Sequence, residues 1–324
     1  MAEVKRFEFI DLFKAIGIIF MVMGHINYLP SIDFGDKFAD YISAFHMPMF
    51  FFISGYLFKN YEFKELLKRK YNSLIKPYLY FGFLNALLCI LLVHGFKIGT
   101  YFEKLFFFNN RHLQVAGALW FLTCLFFVNI IFWYLNSKIK NKYLLGFVLL
   151  IIAVAEYYLK IRLPYSIDAA LFMLLVFYAG YVFKKKEPNL NLKQELAVGV
   201  SLFVISFIFI FKNGHCNVRA YEYPNLLLFY FNALTATLAY FYLSKLICNF
   251  VSLKPLQYIG KNSLNYLALN QIVITVTPVF GGGAFLCLII DLIIMTVLSE
   301  IVNNVKKFYP LICEYFRGVR NLTK

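Results

Sequence analysis

Acidic side chains are scarce in this chain: 17 Asp plus Glu stand against 32 Lys plus Arg in 324 residues, a formal charge of +15. In a soluble protein such an excess would suggest a nucleic-acid partner. Here the basic residues sit in short clusters between long apolar runs, as orientation signals and contacts to anionic membrane lipid require, which argues against nucleic acid. Cysteine is sparse as well. The six (Cys89, Cys124, Cys216, Cys248, Cys287, Cys313) are scattered, with no CxxC pair and no His at ligand spacing. Neither a disulfide framework nor a metal site is expected. Repeats, low-complexity stretches and a soluble domain are all missing. No small-residue cleavage site follows the first apolar stretch, which Asp11 and Lys14 interrupt after Lys5 and Arg6, so it reads as a retained span.

What the chain has in abundance is apolar surface: 61% hydrophobic residues and a mean hydropathy of +0.68. A soluble domain sits nearer half apolar and cannot absorb that excess. Each membrane span takes roughly 20 residues, so the length allows on the order of ten. Apolar runs fall at 9–28, 41–58, 77–94, 118–135, 143–159, 168–183, 195–211, 225–243, 262–280 and 284–302. The expected fold is all-α: a polytopic integral membrane helical bundle of about ten transmembrane helices, one membrane domain over residues 1–324.

The basic clusters Lys64, Lys68, Arg69, Lys70, then Lys138, Lys140, Lys142, then Lys184, Lys185, Lys186 recur in alternate loops. The positive-inside bias makes those loops cytoplasmic, together with both termini and the tail carrying Lys306, Lys307, Arg317 and Arg320. The first opposite loop, SIDFGDKFAD, is acidic. The segment 95–117, with Lys97, Lys104 and Arg111 on the outer side, is expected to dip into the membrane surface and help line a site. Gly281 to Gly283 after Pro278 read as a tight turn.

Within the spans, ionisable groups are expensive unless they face a cavity or one another. Lys14 and His25 lie eleven positions apart, three helical turns plus roughly 20°, so they share one face about 16 Å apart along the axis. Asp11 stands on the same stripe. One helix thus presents an acid and a base near one end and an imidazole near the other, which suits a site reached from both sides. An inert polar seam, with Lys14 snorkelling and Asp11 neutralising it, fits the same spacing. Histidine titrates near neutrality, as general-base work requires. The second run opens with His46-Met47-Pro48 and closes with Ser54-Gly55-Tyr56; it reads as a kinked, closely packed span, or as one whose His46 joins His25 at a cavity mouth. Trp120, Asp168, Asn265, Asn270 and Gln271 read as interfacial or interhelical polar groups, and His94, His112 and His215 as loop-edge residues without a constellation.

Taken in order, FIDLFKAIGIIFMVMGH, FHMPMFFFISGYLF, ALWFL, IDAALFMLLVFYAGYVFKK and IGKNSLNYL resemble the acyltransferase family 3 proteins, especially the fucose 4-O-acetylase-like branch. The resemblance implies a bacterial cytoplasmic-membrane O-acyltransferase. Its donor would be acetyl-CoA as cosubstrate, with no metal, and its acceptor a hydroxyl of a surface-polysaccharide sugar or lipid-linked glycan. It makes His25 the catalytic base and brings in Lys14, Asp11 and His46. Lys68, Arg69, Lys70 and Ser54 become candidates for holding coenzyme A, since lysines and a forked arginine suit phosphate, although positive-inside signalling explains the three basic residues equally. The chain departs from the family pattern twice: no second arginine completes an Arg-x-x-Arg after Arg69, and Asn270 stands where a histidine is usual.

A transporter or flippase for lipid-linked sugar also fits a helical bundle with a basic inner face, but such proteins commonly carry two related halves, which are absent here. A non-catalytic assembly protein that kept the fold is the third possibility. Membrane orientation is directly testable: cysteines placed at Lys68 and Lys185 are expected to react with an impermeant maleimide only in inside-out vesicles, and labelling in intact cells would overturn the assignment.

Overall fold

The computed structural model describes residues 2–27, 35–106, 113, 116–220, 222–277 and 281–322, without the side chains of 2–7 and 306–322. Arg111, His112 and Pro278 fall outside the described residues, as do the side chains of Lys5, Arg6 and the four basic tail residues.

Twelve helices run through the described residues. They are α1 Ala2–Ile26, α2 Asp36–Tyr56, α3 Phe63–Leu92, α4 Ile98–Phe106, α5 Trp120–Lys138, α6 Lys142–Leu159, α7 Ile167–Lys186, α8 Leu192–Asn213, α9 Leu226–Phe250, α10 Lys254–Lys261, α11 Ser263–Val276 and α12 Ala284–Leu322. Eight segments are long and apolar enough to cross a membrane, those containing α1, α3, α5 to α9 and α12. Each overlaps one of the ten runs read from sequence. Of the other two, α11 is short, and α2 is diluted by Asp40, Ser43, His46 and Pro48. The chain is a multi-pass membrane protein by this count.

Three boundaries differ from the sequence reading. The cluster Lys64 to Lys70, taken as loop, forms the opening turns of α3, where Leu66 is buried while Lys64, Lys68 and Arg69 face out. That helix continues into the membrane through a π-helical turn at Tyr71–Ile75, just before Pro77, whose missing N–H breaks the regular ladder. The segment after α3 contains α4, which folds back on α3 through Tyr101 Oη donating to Gly82 O (2.9 Å) and Tyr78 Oη donating to Leu105 O (2.6 Å). The tail expected after 302 continues α12 to Leu322.

Lysines gather at the ends of the helices near 56–70, 138–142, 184–192 and 245–261, called here the basic end. Lys245 Nζ bridges Glu187 (3.1 Å) and Glu195 (2.8 Å), and Tyr56 Oη donates to the second oxygen of Glu187, so α2, α7, α8 and α9 are tied together there. Aromatic rings fill the interior: Phe45 stacks on Tyr240 at 5.1 Å, and the Tyr41 and Tyr240 hydroxyls meet at 2.9 Å.

Helix–helix association in lipid relies on close backbone approach rather than hydrophobic exclusion. A Cβ on Gly55 would lie 1.9 Å from the Phe177 carbonyl oxygen, and one on Gly180 would lie 2.0 Å from that of Phe52. Helices α2 and α7 therefore cross backbone to backbone. At Gly260 on α10 the same Cβ would lie 1.7 Å from the Asp11 oxygen, which presses α10 against α1. Backbone has no rotamer with which to yield, so Gly55→Leu and Gly180→Leu are expected to cost about 3 kcal/mol or more and to lower the detergent melting temperature. Gly283→Ala, with nothing within 4 Å, is the control expected to melt with wild type. Equal melting of all three would refute the crossing.

Candidate active site

A cavity of about 1160 Å³ opens at the end opposite the lysines, slightly above the ~300–1,000 Å³ common for small-molecule pockets. Its walls come from the last turn of α1 (Met21, Gly24, His25), the first half of α2 (Asp36, Asp40, Ser43, His46) and the start of α5 (Ala118, Trp120). The turn before α7 (Arg162, Leu163, Pro164), the connection from α8 to α9 (His215 to Ala220) and α11 (Leu267, Gln271) complete it.

His25 and His46 come to the cavity from neighbouring antiparallel helices. His25 lies within electrostatic range of His46 and Arg219, and His46 within range of His215. The His46 ring nitrogen Nδ1 sits 2.8 Å from the Ile42 carbonyl. A carbonyl can only accept, so Nδ1 carries the proton and Nε2 holds the lone pair. His46 is thereby held in one tautomer, able to take a proton at Nε2.

The connection from α8 to α9 is folded tightly over the cavity. Asn217 and Glu222 exchange backbone bonds (2.8 and 3.1 Å), and Ala220 N donates to both the backbone and side-chain oxygens of Asn217 (3.1 Å each). Tyr223 stacks on Phe172 at 4.1 Å and donates to Val218 O. Three cross-links stitch this loop to its neighbours: His215 Nδ1 to Asp40 at 3.2 Å, Cys216 N to Ser43 Oγ at 3.2 Å, and Arg162 Nη2 to Ala220 O at 3.4 Å. Burial pushes the Cys216 thiol up to about 12, with Asp40 adding to the rise, so it is a thiol and not a thiolate nucleophile at neutral pH.

On the facing side Asp168, fully buried, accepts from Leu163 N (3.2 Å) and Ala169 N (2.8 Å) and fixes the turn that lines the cavity. Two consecutive non-glycine residues there have positive φ, Tyr165 (55°) and Ser166 (62°), a strained geometry that the surrounding contacts must hold. Gln271 Oε1 accepts from Ala118 N at 3.3 Å, tying α11 to the turn before α5. Asn270 is buried beside Met21, its amide donating to Leu267 O (2.6 Å) while its Oδ1 has no hydrogen-bond partner among the described residues.

The remaining sequence candidates sit elsewhere. Asp11 and Lys14 form an ion pair of 2.7 Å toward the basic end, and neither lines the cavity. Ser54 donates to Phe50 O within its own helix (2.7 Å). Lys68 and Arg69 are exposed on α3 with Lys70 half-buried; Arg69 is paired with Glu65 at 2.7 Å and lies over Tyr61. The cavity therefore brings together His25 and His46 alone of the eight candidates. Sequence reasoning missed Arg162, His215 and Arg219; His215, set aside as a lone loop histidine, pairs with a residue 175 positions away, and no spacing pattern announces such a contact.

A multi-pass helical membrane protein with an imidazole-lined cavity at one end of the bundle is the class that fold and site define. Its family follows from comparison: the acyltransferase-domain profile of acyltransferase family 3 matches residues 7–302, and the chain belongs to that family. Comparison with curated proteins and with solved structures finds no match. Membership implies O-acyl transfer from an acyl-donor cosubstrate.

Proposed function

We propose that this protein is an O-acetyltransferase of the bacterial cytoplasmic membrane, moving an acetyl group from acetyl-CoA to a hydroxyl of a surface-polysaccharide sugar or its lipid-linked precursor. Its sequence motifs resemble those of the fucose 4-O-acetylase-like branch. The observation that carries the reading is the convergence of His25 and His46 on one cavity large enough for a sugar and an acyl group.

In this reading His25 is the general base. It takes the proton of the acceptor hydroxyl as that oxygen attacks the thioester carbonyl carbon, and returns it to the departing sulfur. The second imidazole, with its fixed tautomer, hydrogen-bonds the acceptor and keeps it oriented. The donor enters from the basic end, where Lys68, Arg69 and Lys70 meet its phosphates near Ser54, and its pantetheine arm passes the Asp11–Lys14 pair. The Phe50 ring lies against Gly17, between Lys14 and Met21 on α1.

Loss of a positioned general base costs ~10²–10⁴-fold in rate. Membranes containing His25→Ala are expected to fix that much less radiolabel from acetyl-CoA into extracted glycan and lipid than wild type, with equal protein abundance. Lys14→Ala is expected to raise the acetyl-CoA concentration needed for half-saturation. A His25→Ala protein as active as wild type would sink the mechanism.

A further inference from the structure

Arg219 has no part in the proton transfer just described, yet the loop that carries it is bonded to α2 and to the turn before α7 at three points. Its guanidinium is seated against the turn before α5: a Cβ on Gly117 would lie 2.8 Å from Nη1, 2.9 Å from Nη2 and 3.0 Å from Cζ. That turn is itself tied to α11 through Ala118 N and Gln271. The seat places the cation in the cavity wall within electrostatic range of His25. Among the described residues the other charged groups in the wall are Asp36, Asp40, which is paired with His215, and Arg162, which donates to Ala220 O.

The chemistry assigned to this cavity makes negative charge at a predictable place. When the acceptor oxygen bonds to the thioester carbon, its proton passes to the His25 ring and the carbonyl electron pair moves onto oxygen. Collapse re-forms the carbonyl, breaks the carbon–sulfur bond and releases the thiolate, which recovers the proton from the imidazolium; the products are the O-acyl ester and free coenzyme A. The oxyanion is bonded to the same carbon as the attacking oxygen, so it must lie close to the base. A planar cation with five N–H donors, fixed in place before substrate arrives, is the kind of group that stabilises it.

We propose that Arg219 is a catalytic residue of acyl transfer: held on Gly117 in the wall of the cavity that His25 also lines, its guanidinium stabilises the oxyanion that develops on the donor carbonyl. This rests on the acyltransferase reading above. Gly117 is a positioning residue, because any side chain there displaces the guanidinium. The displaced atoms are the tip of a flexible side chain, so the fold survives the change while the geometry does not.

The test uses the full-length protein in native membranes, supplied with radiolabelled acetyl-CoA and with glycan and lipid extract from cells lacking the protein. Label fixed is followed against both donor concentration and extract dilution. Arg219→Gln is expected to lower kcat by ~10²–10³-fold, the usual effect of losing one oxyanion donor, with half-saturation by donor and extract unchanged. Arg219→Lys should retain part of the rate, and Gly117→Ala should lower kcat while melting with wild type. Should Arg219→Gln not fold, the Gly117→Ala result decides. A kcat within about twofold of wild type in the folded variants overturns the inference, as does a loss confined to extract half-saturation, which would make Arg219 a ligand for an anionic acceptor. A wild-type protein that fixes no label would remove the acyltransferase reading itself, an outcome distinct from an active wild type with an active Arg219→Gln.

Discussion

Where α2 crosses α7, two glycines let the Phe52 and Phe177 carbonyls approach within 2.0 and 1.9 Å of where side chains would begin. Much of the cavity end depends on that contact, because α2 carries Asp40, Ser43 and His46 and, although 21 residues long, is not among the helices apolar enough to cross a membrane. Its polar first half would not rest in lipid unaided. Pinned at its far end to α7 and to the Glu187 cluster through Tyr56, α2 points its polar half inward, where Asp40 and Ser43 bond the loop between α8 and α9. A contact at the basic end thus fixes the position of an imidazole more than two helical turns away.

The same economy governs charge. In a low-dielectric interior an isolated ion is costly, so ionisable groups must meet partners or a wet cavity. Asp11 neutralises Lys14 and two glutamates flank Lys245 toward the basic end, while the Asp40–His215 pair, His25, His46 and Arg219 line the cavity wall. Donor-side candidates at one end of α1 and the imidazoles at the other are separated by about 16 Å of helix, with Phe50 packed on Gly17 between them.

Spans were legible because a bilayer demands unbroken apolar length: eight of the ten runs became long apolar helices, with ends displaced where amphipathic turns continued past the apolar stretch, as at Lys64 to Lys70. The Ser54-Gly55 pair was readable as a close crossing and became one. His25 and His46 stood out because imidazoles are rare in hydrocarbon. Arg219 and His215 did not, since in a loop such residues are ordinarily solvated, and only the tertiary fold brings them to the cavity, Arg219 on the turn Asn217 to Glu222 and His215, still exposed, through its bond to Asp40. Gly260 was legible only as part of a motif; its reason, the Asp11 carbonyl against its Cα, is a contact between helices far apart in sequence.

The most direct measurement is mass spectrometry of the surface polysaccharide from cells with and without this protein. The account predicts that deletion removes an acetyl-sized group from one sugar and that the wild-type gene, but not one encoding His25→Ala, restores it. Unchanged acetylation together with an altered amount of polysaccharide would contradict acyl transfer and point to transport or assembly.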